Sequence, residues 1–220
     1  MSYHPLPSLI EAYAGGTLDD ATAFSVATHI ESCPHCRRLA LQAEQRLGDE
    51  LSSAVCSDIP NFDSMFDDIV ALEQNSEPFR LPRFPTSIEV NGKKFRLPLS
   101  LSRFKDNISD WKSYGGKVFS ASVELSCDAR VSLLYISENV KIPQHTHKGI
   151  EATLVLHGGF SDEDGHYEVG DYLYKDASVK HSPFTREGED CLCLTVLTEP
   201  MIFTQGVARV FNMFGKGLYP

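Results

Sequence analysis

No stretch of this 220-residue chain carries an apolar run long enough to cross a bilayer. The N-terminus lacks the basic-then-apolar order of a secretion signal, and together these absences predict a cytoplasmic protein. In that compartment six cysteines read as metal ligands, redox groups or core residues rather than as a disulfide framework. Basic side chains are scarce at the front: residues 1–80 hold 13 Asp/Glu against 4 Lys/Arg, whereas residues 81–220 hold 17 against 16. So acidic a segment repels phosphates, which excludes a nucleic-acid face there, and it suits a basic protein partner.

Against this background the stretch from Thr28 to Cys36 stands out, with His29, Cys33 and Cys36 in the spacing H-x3-C-x2-C. In a helix that runs into a turn at Pro34, His29 and Cys33 lie one turn apart on one face. The Cys33–Cys36 turn folds the second sulfur back toward the first. Three soft ligands then converge as a tetrahedral zinc ion requires, and His4 is the nearest candidate for the fourth. The tetrapeptide Cys33-Pro34-His35-Cys36 also matches a redox dithiol. That reading needs a strand leading into the dithiol, whereas Asp20 to Glu31 reads as helix, and it leaves His29 without a role. His35, inside the turn, reads as a solvent-facing spectator.

Taken in order, Ser8-Leu9-Ile10-Glu11 has the pattern of a capping box, and Gly15-Gly16 stops the helix it opens. A second helix is expected from Thr17, burying Ala23, Phe24, Ala27 and Ile30. A third follows from Cys36, with Leu39, Ala43, Leu47 and Leu51 inward, and a fourth from about Asn61. On the fourth, Phe62, Met65, Phe66, Ile69 and Val70 share one side, a stripe that suits core packing or, alternatively, a partner's groove. Pro78, Pro82 and Pro85 mark an extended linker over residues 76–87, between a helical domain (1–75) and a second domain (88–220).

The second domain has no helical pattern between its strands. Val90-Asn91-Gly92-Lys93 is a hairpin signal, and strand-like runs follow at 117–125, 131–136, 152–156, 172–174 and 191–197. Gly115-Gly116, Gly158-Gly159 and Gly170-Asp171 are read as the turns between them. Many short strands of this kind predict a small barrel or jelly roll. The fold class is therefore α+β in two domains: a small helical zinc domain, then an all-β one.

Within the all-β part, His145 and His147 stand two apart on a strand and so point to the same face. Lys148-Gly149 permits a turn that returns Glu151 toward them, and His181 is placed to complete the set from a facing strand. Three imidazoles and a carboxylate suit zinc, iron, manganese or nickel. His157 and His166 read as surface or supporting groups. Cys191 and Cys193 share a strand face and read as core thiols that can also oxidise together, while Cys56 and Cys127 have no assigned partner.

The pattern His145-x-His147-x3-Glu151-x6-Gly158 resembles the first metal-binding motif of the cupin family. The second motif is matched at His181, with Asp176 and Ser178 where proline and glycine are common. His4 with His29-x3-Cys33-x2-Cys36 resembles a zinc-binding anti-sigma domain. In this order, the two resemble the ChrR-type anti-sigma factors. The resemblance implies a bacterial cytoplasmic regulator whose front domain holds zinc through His4, His29, Cys33 and Cys36 and clamps a group IV (extracytoplasmic function) sigma factor. It implies a cupin that holds zinc or another divalent metal through His145, His147, Glu151 and His181 and answers singlet oxygen or organic peroxide. The rival reading is a metal-dependent cupin dioxygenase or isomerase with a regulatory zinc module. The sequence shows no acid/base residue beyond the ligands, which favours the regulator.

Overall fold

The computed structural model describes residues 1–53, 62–73, 87–125, 129–206 and 209. The expected linker, apart from Ser87, lies outside these residues, as do Cys56 and Cys127.

Proline loses no hydrogen bond at the first helical position, and Pro7 there opens α1 (Pro7–Ala14) behind an N-cap Leu6 that supplies no side-chain bond. The capping box at Ser8 is not formed, because the helix has already begun. Gly16, at φ +65°, ends it, and the Thr17 N–H returns to the Ala12 carbonyl at 2.9 Å. With Thr17 thus engaged, α2 (Asp20–Ser32) starts later than expected, capped by Asp19, whose carboxylate accepts from the Thr22 N–H at 2.9 Å. Cys33 leaves the helical region at φ −104°, ψ 104°, and Pro34 at once begins α3 (Pro34–Ser52). A fourth helix, α4, spans Phe62–Ala71.

The rest is almost entirely β, as expected. Strands β1 (Ser87–Val90) and β2 (Lys93–Arg96) form the predicted hairpin, with Asn91 and Gly92 both at positive φ as a tight I′ turn demands. A one-turn helix α5 (Leu99–Ser102) and a 3-10 turn (Lys105–Asn107) lead to the main sheet. Its strands are β3 (Lys112–Tyr114), β4 (Val118–Val123), β5 (Arg130–Ile136), β7 (Glu151–Ser161), β8 (His166–Glu168), β9 (Tyr172–Lys175) and β10 (Cys191–Leu197). They run antiparallel in the order β3-β4-β5-β10-β7-β8, with β9 also paired to β7. Between β5 and β7 in the chain, β6 (His145–His147) pairs instead with β11 (Met201–Phe203) in a separate ribbon.

Gly158-Gly159 lies inside β7 and does not end it. Gly158 sits at φ +62°, opposite Cys191, where a Cβ would fall 1.7 Å from the Asp190 carbonyl oxygen. Its glycine answers a close backbone approach beside a register shift between Leu192 and Cys193, and the strand continues past it.

Helix α2 is covered on two sides. Its fully buried residues include Ala21, Thr22, Ser25, Val26 and His29, while the expected stripe of Ala23, Phe24, Ala27 and Ile30 is only half-buried. The reason is the sheet: α2 packs on β7 and β10, and Ala21 and Val26 share one hydrophobic cluster with Leu133, Leu154 and Leu194. Polar bonds fix the same face. Ser25 Oγ lies 2.9 Å from Tyr172 OH, and Glu31 accepts the Leu99 and Ser100 N–H groups at the start of α5 at 2.7 and 2.9 Å. Every residue of β10 is buried, which explains its unbroken run of apolar and small side chains.

In α3 only Cys36, Ala40 and Ala43 are buried, and Leu51 at its far end is 77% exposed. On α4 nothing is buried: Phe62, Met65, Phe66, Ile69 and Val70 are each about half or more exposed, so core packing does not account for this stripe.

Candidate metal centres

Cys33 ends α2 and is the N-cap of α3, where its Sγ accepts from the Cys36 N–H at 3.5 Å. One residue thus brings both helices to one point, and the positive end of α3 favours negative charge on its sulfur. Cys36 follows within the first turn of α3. His29, a turn before Cys33, places Nε2 3.3 Å from Cys36 Sγ. His4, on the segment preceding α1, places Nδ1 3.5 Å from Cys33 Sγ and 3.4 Å from Cys36 Sγ. One ligand atom from each of the four lies within 4.8 Å of those of the other three.

A tetrahedron built from zinc–sulfur and zinc–nitrogen bonds of about 2.3 and 2.1 Å has sulfur–nitrogen edges of about 3.6 Å, so the donor set fits that ion. The electrostatics agree. Burial, with Cys33 beside it, pushes the Cys36 thiol up to about 12. Burial and then His4 lower His29 to about 4, with the Gly170 carbonyl and Asp171 opposing. A cluster of buried thiols and a neutral imidazole has no charge partner of its own; a divalent cation supplies one and favours the thiolate. His35 is exposed and takes no part, although its ring stands 5.1 Å from that of His4.

The second quartet is His145, His147, Glu151 and His181, again with ligand atoms within 4.8 Å of one another. Alternation along β6 buries His145 and His147 and turns Thr146 outward, where its hydroxyl donates to the Val179 carbonyl at 2.7 Å. Gly149 allows the close turn between β6 and β7, since a Cβ there would fall 2.3 Å from Thr198 Oγ1. Glu151 therefore opens β7 against the two imidazoles. His181 joins through a two-way backbone bridge with His145, both N–H···O distances being 3.1 Å. The departures at Asp176 and Ser178 do not unmake the loop: Asp176 Oδ1 accepts from the Ser178 N–H at 2.9 Å and from its hydroxyl at 2.5 Å, holding the turn that proline and glycine often supply.

The nitrogens converge without satisfying one another. His147 Nε2 and His181 Nε2 lie 2.9 and 3.4 Å from Glu151 Oε2, yet neither has hydrogen-bond geometry, and both are buried. Such crowding of unpaired acceptors is what a shared cation resolves. The outward nitrogens are partly used: His145 Nδ1 is 2.9 Å from the Pro143 carbonyl, and His181 Nδ1 is 3.2 Å from Asp162 Oδ2. These contacts leave each Nε2 as the inward donor. Burial alone would raise the Glu151 carboxyl, but His147 and His181 hold it well below the usual carboxylate range. Burial lowers His145 to about 4. It would lower His181 too, but Asp162 and Glu151 overcome it and raise that imidazole to about 9.

Asp162, Tyr167 and Lys175 have no signal in the sequence, yet they back this quartet. Asp162 Oδ2 is 2.5 Å from Lys175 Nζ, and Asp162 Oδ1 accepts from Tyr167 OH at 2.9 Å. Beside the quartet lies a cavity of about 400 Å³ with apolar walls that include Val118, Leu134, Leu197 and Phe203, and His145, Glu151 and His181 line it. His157 and His166 stand apart, against Asp190 and Glu189. Cys191 and Cys193 are buried core thiols with sulfurs 3.3 Å apart, and Cys193 reaches the cavity wall.

The ChrR cupin-like domain family matches residues 117–200, and a zinc-finger family matches residues 8–37, which include His29, Cys33 and Cys36 but not His4. The anti-sigma-E factor ChrR of Cereibacter sphaeroides is 30% identical over 219 residues, covering 96% of this chain and 97% of that protein. A chain of the crystal structure of Rhodobacter sphaeroides SigE in complex with the anti-sigma ChrR superposes with a TM-score of 0.70 at 29% identity, over 89% of this chain and 98% of that one. Among the described residues no helix is long and apolar enough to cross a membrane. Carrying a sulfur-rich quartet on its helices and a histidine–carboxylate quartet in its sheet, and related in sequence and fold along almost its whole length, the chain belongs to the ChrR family of anti-sigma factors.

Proposed function

We propose that this protein is a cytoplasmic regulator that sequesters an extracytoplasmic-function sigma factor and releases it on a reactive-oxygen signal, singlet oxygen or organic peroxide. The observation that carries the reading is the pair of complete, chemically distinct ligand sets in one chain of this family. His4, His29, Cys33 and Cys36 would hold zinc, whose role there is to fold the front helices. His145, His147, Glu151 and His181 would hold zinc or another divalent transition metal, an ion that offers a coordination position to a small oxidant.

The binding surface is the acidic helical region, within which α4 presents an exposed apolar face, with none of its side chains buried among the described residues. An amphipathic helix of this kind is suited to a hydrophobic groove on a partner, and the surrounding carboxylates to the partner's basic rim. The apolar cavity beside the second quartet admits a small apolar molecule to the edge of the metal site. Asp162 and Pro143 orient His181 and His145 there. The sigma factor, not a chemical product, is the output.

The test is a reporter for the cognate sigma factor in cells carrying His147→Ala, a change that removes one ligand of the second site and touches none of the first. The variant is expected to inhibit normally in unstressed cells and to stay inhibitory under singlet oxygen or organic peroxide. Normal induction in that strain would overturn the sensor assignment. Failure of the wild-type protein to co-purify with the sigma factor would overturn sequestration itself.

A further inference from the structure

The two quartets are joined by a short path of named contacts, and the segment before α1 lies in the middle of it. His4, a member of the first quartet, follows Tyr3 directly. The Ser2 and Tyr3 N–H groups donate to Asp171 Oδ1 at 2.6 and 3.1 Å, and the Tyr3 carbonyl accepts from the Tyr172 N–H at 3.0 Å. Asp171 is buried in the turn between β8 and β9. The Tyr3 ring meets that of Tyr167 edge to face, with centroids 5.0 Å apart. The far end of Tyr167 is its hydroxyl, which donates to Asp162, and Asp162 lies against His181 of the second quartet. By contrast, α2, which carries His29, is fixed to the sheet by a hydrophobic cluster and by Ser25 and Glu31. Two N–H bonds to the Asp171 carboxylate, one backbone bond to Tyr172, the N-terminal amine 4.0 Å from Asp171 and ring contacts at Tyr3 and His4 hold the segment, which belongs to no helix or strand and so can open locally without unfolding either.

We propose that Ser2–His4 is the coupling element between the two metal sites: docked, it presents His4 to Cys33 and Cys36, and it stays docked only while Asp162 holds Tyr167 in place. A change at His181 that removes its contact with Asp162 frees the carboxylate to turn toward Lys175, whose Nζ is 2.5 Å from Asp162 Oδ2 and 3.1 Å from Asp164 Oδ2. Tyr167 then loses its acceptor, the Tyr3 ring its packing surface, and the thiolate site its fourth ligand. Tyr167 and Asp162 are positioning residues in this scheme, acting on the first quartet through Tyr3. The inference rests on the reading that both quartets hold metal, and it adds how one reports to the other.

The test uses the full-length protein loaded with cobalt(II), because a thiolate-to-cobalt charge-transfer band reports the first quartet and is not given by the sulfur-free second one. The rate at which a chelator abolishes this band is measured for the wild type and for Tyr167→Phe, Asp162→Asn, Tyr3→Ala and Tyr3→Phe. The first three are expected to lose the band about tenfold faster, within the usual range of coupling between sites, while Tyr3→Phe, which keeps the ring, behaves as the wild type. The double variant Tyr3→Ala/Asp162→Asn is expected to be no faster than Tyr3→Ala alone, as residues acting in series require. Tyr3 is half-exposed and Tyr167→Phe removes a single oxygen, so the result does not depend on a buried charge being tolerated. A Tyr167→Phe rate within about twofold of wild type, or full additivity in the double variant, overturns the coupling. Absence of the band in the wild type overturns the zinc reading along with it.

Discussion

Removing the sulfur-bound zinc should melt only part of the helical region, and the structure says which part. The core beneath α1 and α3 consists of Ile10, Cys33, Cys36 and Ala40, with Ile30 and Leu39 partly buried against it. One isoleucine and a few small groups contribute about 2–5 kcal/mol, against about 10–16 kcal/mol of apparent binding free energy for a structural zinc site at neutral pH. Zinc therefore dominates wherever no other support exists. Helix α2 has other support, because Ala21 and Val26 belong to the cluster of the sheet and Ser25 bonds Tyr172. In Cys36→Ala, with the second quartet untouched, we expect the far-ultraviolet helical signal to fall by the share of α1 and α3, which hold 8 and 19 residues, and not by the 13 of α2. Hydrogen exchange read by mass spectrometry locates the change: protection should vanish over 7–14 and 34–52 and persist over the sheet-facing residues of 20–32. Protection of α3 in the variant, or loss from α2 in step with α3, would refute this division of labour.

Two further predictions concern the first quartet and α4. Zinc binding by the first quartet requires a thiolate at Cys36, whose thiol is otherwise held up to about 12 by burial, so binding expels that proton at every working pH; His29, lowered to about 4, is already neutral and expels none. Zinc-derived stability is thus lost as pH falls. Affinity in a chelator competition should drop at least about tenfold, or about 1.4 kcal/mol, for each unit from pH 8 to pH 6, and a flat profile would show that no thiolate forms. On α4, Phe66→Asp replaces an exposed ring, so thermal unfolding should shift by less than about 0.5 kcal/mol while sigma-factor binding, measured by calorimetry, weakens by about tenfold or more; unchanged binding would remove α4 from the interface.

Three members of each quartet form a run legible in the sequence because ligand spacing is a local property, whereas His4 and His181 stand well apart from those runs. H-x3-C-x2-C is set by a helix turn and a proline, and H-x-H-x3-E by strand alternation and one glycine. The strands were legible for the same reason. What stayed hidden depends on which surfaces meet. The buried face of α2 looks wrong in periodicity because a second body covers it, so Ser25 and His29 are as buried as Val26. Gly158-Gly159 reads as a turn in any local window, and only the Asp190 carbonyl across the strand reveals a bulge. Asp162 sits in an acidic stretch, Ser161-Asp162-Glu163-Asp164-Gly165, that resembles any exposed loop. Its neighbours in space, Lys175 and His181, are 13 and 19 residues away, with no periodicity to point to them. The stripe on α4 was visible as a stripe, but its exposure was not, since a core and an interface are written in the same residues.

The shared core also constrains how a sigma factor can be released. A sensor on a loose tether could act by swinging away, but α2 is packed on β7 and β10, and separating it would expose Ala21, Val26 and their partners in the sheet together with the Ser25–Tyr172 and Glu31–α5 contacts. Each tenfold loss of partner affinity needs about 1.4 kcal/mol, so release of a tightly held sigma factor calls for several kcal/mol, and tearing α2 from the sheet works against it. Loss of one zinc ligand works in its favour, because a metal site stabilises the fold only while its ligand set is complete. The economical route keeps α2 in place and loosens α1 and α3, the helices whose small core relies on the metal. Among the ligands of that metal, His4 alone is carried by the segment before α1, and the same segment is the one that touches the network behind His181.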